Sequence, residues 1–234
     1  MKLLLASLGA LTLGALLAPI SAHAQGRSII TGDAGFYWWV DAGATIPEDG
    51  HITEFGGLPS GQKVEYDVGG ALDLTLGYAF NPYFATELQI GGTWNSIDSV
   101  EGVSANDTYF ATAPILANVV LQCPIPRTLI VPYLGAGAGG AATVFDTDGS
   151  YWPVPRGTVT LYGTESDFVF AWQAFAGVQF ELNDSMSLGV GYRYLHLDSS
   201  TYSYDSWYYG GPDLDVGLSS YEAHVVAITF RMTF

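Results

Sequence analysis

Apolar and small-polar positions alternate along 220–234, the last fifteen residues. Val226, Ile228, Phe230, Met232 and Phe234 share one face, and Val225, Ala227, Thr229, Arg231 and Thr233 the other. A period of two is that of a β-strand. Seven earlier stretches read the same way: 35–44, 63–80, 83–94, 108–122, 128–144, 166–182 and 186–197. In 63–80, Leu72, Leu74, Leu76, Tyr78 and Phe80 oppose Asp73, Thr75 and Gly77; in 186–197, Leu188, Val190, Tyr192 and Tyr194 oppose Ser187, Gly189, Gly191 and Arg193. The first stretch has no readable phase, because Tyr37, Trp38 and Trp39 are consecutive. Pro114 sits within the fourth, an unusual residue for a paired strand.

The connections between these eight stretches alternate in length. Segments 45–62, 95–107, 145–165 and 198–219 are long, whereas Asn81-Pro82, the CPIPR run at 123–127 and Asn183-Asp184-Ser185 are tight turns. A Greek-key sandwich has no reason to alternate in this way. An up-and-down transmembrane barrel does, with short turns on the cell side and long loops outside. The sequence therefore predicts an all-β fold: an eight-stranded antiparallel up-and-down transmembrane β-barrel with short periplasmic turns and long outer loops. Its apolar faces meet lipid and its small-polar faces line the lumen.

Composition supports that solvent assignment. Charged residues make up only 13% of the chain and aromatics 14%, too few charges to coat a soluble acidic surface. The net charge of −16 argues against nucleic acid as a partner. Lys2, the apolar run 3–17 and Ala22-His23-Ala24 read as a signal peptide over 1–24, leaving 25–234 as the barrel. No later apolar run is long enough for a transmembrane helix. The lone Cys123 has no partner for an internal disulfide.

An eight-stranded barrel is just wide enough for side chains to fill. Gly and Ala on the inward faces alternate with Asp73, Glu87, Gln89, Asn118, Gln173, Gln179, Glu181, Arg193 and Arg231. Charges in such a lumen must pair. Arg193 and Arg231, the inward cations of the strands, are expected to pair with Glu87, Glu181 or Asp73. The result is a polar plug; a narrow pore for small or apolar solutes is the alternative.

The PYLGAGAGG stretch at 132–140, AWQAFAGVQFEL at 171–182, GVGYRYL at 189–195 and the ITFRMTF end at 228–234 carry a resemblance. The chain resembles the small outer-membrane β-barrel superfamily, with its opacity-type and outer-membrane-protein-A-type transmembrane domains. The resemblance implies residence in the outer membrane among lipid and lipopolysaccharide, as a monomer. It also implies an assembly signal at Phe234, with Phe230, read by the barrel-assembly machinery. No peptidoglycan-binding domain is expected to follow the barrel.

Chemistry is sparse. Membrane lipid A deacylases of similar size use a His-x-Ser motif; here His196 is followed two residues on by Asp198, with Ser199 on the opposite strand phase. A lipid A-modifying hydrolase is thus a minor alternative, and the chain is expected not to be an enzyme. His196 and His224 share the outward phase on neighbouring strands, a weak pattern for metal, and no metal or cofactor is expected. The long loops are acidic and aromatic. Tyr204, Trp207, Tyr208 and Tyr209 are the candidate recognition residues for a surface ligand, in a structural or adhesion-like role. Acidic loops beside a phosphorylated lipid surface also call for bridging divalent cations.

Overall fold

The computed structural model describes residues 34–105, 108–154, 157–204 and 214–234. Its strands are β1 (Gly35–Pro47), β2 (Gly50–Phe55), β3 (Leu58–Tyr66), β4 (Gly69–Asn81), β5 (Phe84–Val100), β6 (Val103–Ser104), β7 (Thr108–Gln122), β8 (Ile130–Val154), β9 (Gly157–Asn183), β10 (Met186–Leu197), β11 (Ser200–Tyr204), β12 (Leu214–Leu218) and β13 (Tyr221–Thr233). The strands β1, β4, β5, β7, β8, β9, β10 and β13 pair antiparallel in that order. β13 then pairs with β1, Trp39 opposite Arg231, and closes an eight-stranded barrel. Closure leaves no open edge across the membrane, where an unpaired backbone would be costly.

The alternation seen in the sequence is the wall of this barrel. Leu72, Leu76, Leu88, Ile90, Ile115, Val119, Phe170, Val190 and Ile228 stand exposed on the outside, while Asp73, Glu87, Asn118, Gln173, Gln179, Arg193 and Arg231 are buried within. β1 takes the phase that its aromatic run hides: Tyr37 and Trp39 are buried and Phe36 is exposed.

Several expectations need correction, among them the loop at 95–107, where β5 runs on to Val100 and β6 follows. The stretch 63–80 is not one strand. Lys63 to Tyr66 belong to β3, and the ring strand β4 starts afresh at Gly69. The only local sign of the joint is Gly69-Gly70, where added Cβ atoms would lie 1.9 Å from the Trp94 carbonyl and 2.3 Å from its ring. Segment 45–62 is not a loop but mostly the β2–β3 hairpin, turning at Gly56 and Gly57 with φ of 57° and 79°. Segments 145–165 and 198–219 likewise contain strand: β8 and β9 stay paired from Ile130 opposite Phe180 to Val154 opposite Gly157, and β11 pairs with β12. Outside the ring, β11, β12, β2, β3 and the end of β5 form a second sheet that continues the wall outward.

Pro114 is accommodated by a break in one ladder. Pairing of β5 with β7 jumps from Ile90–Ile115 to Thr93–Thr112, and the proline, which has no N–H to give, falls in the gap.

Candidate functional site: a filled lumen beneath an outer sheet

The inward positions nearest the chain termini form the first polar layer. Tyr37 donates its hydroxyl to Glu87 Oε1 at 2.6 Å, and Arg231 lies over the Tyr37 ring while donating to Gln179 Oε1 at 3.2 Å. Glu87 thus accepts a hydrogen bond from a phenol, where sequence reasoning offered it an arginine. Parity shows which residues face inward, but not how far across the lumen each one reaches.

In the second layer Arg193 pairs with Asp73. Gln173 Nε2 donates to Gln89 Oε1 at 2.6 Å and to Asn118 Oδ1 at 2.8 Å, and Asn118 Nδ2 donates to Gln89 Oε1 at 3.2 Å. Asp73 fits because Gly91, directly opposite on β5, has no side chain; a Cβ there would lie 1.7 Å from Asp73 Oδ1. Sequence reasoning missed Asp41, which accepts the Thr229 hydroxyl at 2.5 Å and lies opposite Asp73. The signal was present, since Asp41 is two residues beyond Trp39, but the phase of β1 was unreadable.

Farther out the filling changes character. Thr93 and Thr112 hydroxyls meet at 2.8 Å, and Tyr221 donates to Asn95 Oδ1 at 2.9 Å. Above them lies an apolar core that includes Ile52, Val64, Ile97, Phe110, Phe145, Leu197, Tyr202 and Val216. Tyr204 belongs to this core and is 3% exposed, so its ring faces inward, not outward as expected of a loop aromatic. β11 pairs with β12 and turns Tyr202 and Tyr204 inward, where Tyr202 donates to Thr143 Oγ1 at 2.7 Å. Trp207, Tyr208 and Tyr209 lie outside the described residues, as does the 1–24 segment that the sequence reads as a signal peptide.

On the outside, near the outer rim, the two histidines sit in a hydrogen-bonded patch. His196 stacks on Trp172 and has Glu222 Oε1 3.4 Å from Nδ1 and Asp198 Oδ1 3.5 Å from Nε2. His224 Nε2 lies 3.1 Å from Glu48 Oε1, and its Nδ1 2.6 Å from the Tyr192 hydroxyl. Tyr194 donates to Glu222 Oε2. Among the described residues these ring nitrogens meet carboxylates and a phenol. Among the described residues no cluster of His, Cys, Asp and Glu has the makings of a metal site.

The outer sheet turns a polar, acidic face to solvent. Lys63 Nζ is held 2.7 Å from both Asp49 and Glu65, which raises its pKa. The Lys63 ammonium, then the Ser99 hydroxyl, lower that of Glu65. Glu54, Glu101 and Asp215 stand on the same sheet, with Lys63 its one cation among the described residues.

At the other end, Phe230 faces outward beside Trp38, ring centroids 5.9 Å apart, and Phe234 N–H donates to the Phe36 carbonyl at 3.1 Å. The two residues expected to form the assembly signal therefore lie at the β1–β13 closure.

The family described as outer membrane protein beta-barrel domain matches residues 4–234. Uncharacterized proteins of Brucella abortus and Brucella suis are 30% identical over 159 residues, 58% of this chain and 55% of theirs, so the chain spans about half the length of the curated relatives it matches. Among solved structures, the outer membrane protein OprG of Pseudomonas aeruginosa is similar with a TM-score of 0.60 at 16% identity, covering 88% of this chain and 98% of that one. Neisserial surface protein A gives a TM-score of 0.54 at 17% identity, covering 86% and 99%. At such identities the likeness is one of fold.

Proposed function

The chain belongs to the outer membrane protein β-barrel family, and from that premise we propose that it is a non-conducting barrel that acts at the cell surface through its outer sheet. It resides in the outer membrane. The filled interior carries the reading: polar side chains cross-link the membrane level, and an apolar core that includes Phe110, Phe145 and Leu197 occupies the outer level. A conducting path would have to cross both, and desolvating an ion in the apolar tier is prohibitive. Among the described residues, what is left to interact is the acidic outer face, with Glu54, Glu101 and Asp215 around the neutralised Lys63. Such a face favours cationic partners, or lipopolysaccharide bridged by divalent cations. Phe234 and Phe230 serve as the assembly signal, and the lumen pair Arg193–Asp73 is structural.

Planar-bilayer recording together with surface binding tests this. Purified protein should give no steady single-channel steps. Labelled protein should bind cells or matrix, and lose that binding on Glu54→Lys with Asp215→Lys. Steady conductance would replace the reading with a pore.

A further inference from the structure

Between the two polar layers lies a cavity of about 30 Å³, lined by Trp39, Asp41, Gln89, Tyr133 and Arg193. Three of these residues carry buried donors without a protein acceptor: Trp39 Nε1, Gln89 Nε2 and Arg193 Nε. The residues are 4%, 4% and 8% exposed. Turning the Gln89 amide over offers no remedy, because its oxygen already accepts from Gln173 and Asn118 and a flip would set donors against donors. Buried polar groups are ordinarily satisfied. An anion would satisfy the donors but would face Asp41 and Asp73. A bare cation would suit the carboxylates but would face three N–H groups. The occupant must both accept and donate.

We infer that this cavity is a built internal hydration site holding about two water molecules, since one water needs roughly 10–15 Å³. The waters accept from Trp39, Gln89 and Arg193 and donate to Asp41. Along β10 and β13 the inward residues beyond this level are Leu195, Leu197, Ala223 and Tyr221, all in the apolar core, and on the other side Arg231 stacks on Tyr37. These groups close the site along the barrel axis, so the waters exchange slowly with bulk solvent. The inference is independent of the surface role, which the conductance and binding measurements decide separately.

Water-to-protein magnetisation transfer on the full chain in lipid nanodiscs tests it. The Trp39 indole N–H is expected to show a strong cross-peak to long-lived water, and xenon is expected to leave the Trp39 and Val225 signals unshifted. Gln89→Met, which removes one donor and fills space, should reduce that cross-peak. A wild-type indole without water contact, or a xenon-induced shift marking a dry cavity, would overturn the inference whether or not the variant folds.

Discussion

The guanidinium carbon of Arg231 lies 3.5 Å from the centroid of the Tyr37 ring, a cation on a π-face inside the barrel. The two residues belong to the last and first strands, so the contact fastens the seam at which the barrel closes. Tyr37→Phe keeps the ring but removes the hydroxyl that Glu87 accepts. The expected loss is about 1–3 kcal/mol, the cost of a buried acceptor deprived of its donor. Arg231→Ala should cost more, because it removes both the cation on the Tyr37 ring and the donor to Gln179 Oε1. Urea unfolding from lipid vesicles, followed by heat-modifiable gel mobility, checks the order.

The Arg193–Asp73 pair offers a sharper comparison. Arg193→Met alone strands Asp73, which is 2% exposed, and should destabilise by about 3–5 kcal/mol. Adding Asp73→Leu should recover most of that loss. Gly91→Ala should act like the single variant, since the new Cβ occupies the place of Asp73 Oδ1. A double variant no better than the single one would show that the pair is not the unit of stability.

Solvent identity at the wall is tested by a matched pair of substitutions. Val190→Arg places a charge on the apolar belt and should cost about 2–4 kcal/mol if that face meets the bilayer midplane. Thr201→Arg, on the exposed face of β11, should be nearly neutral. Folding yield into vesicles reads both.

The outer core should respond to alkali. Burial raises the phenols of Tyr202 and Tyr204 on β11, outside the ring. A raised phenol means that the folded state keeps its proton longer than the unfolded chain. The stabilisation is therefore complete below about pH 10, the ordinary phenol value, and is lost as pH rises through the folded values. Absorbance at the phenolate band should show these tyrosines titrating last, together with protease access to β11 and β12.

The apolar faces of β4, β5, β10 and β13 were legible because a strand alternates with period two, and lipid demands an unbroken apolar row. Leu72, Leu88, Val190 and Ile228 declare it residue by residue. The alternation of short and long connections gave the strand number and the up-and-down order. Long loops hid β2, β3, β11 and β12, because strands of 5 to 9 residues among Gly, Pro and acids carry too few alternations to stand out. Tyr204 looked like an exposed loop aromatic for the same reason. Only its pairing with Leu214 turns it inward.

The chain by itself determined which side of each ring strand meets hydrocarbon and which meets the lumen, because that depends on neighbours two residues away. Only the tertiary structure decided that Arg193 meets Asp73 and that Glu87 meets Tyr37, 120 and 50 residues apart in the chain. Those partners are set by the stagger of the strands and by the reach of side chains across the closed barrel, neither of which a local period encodes.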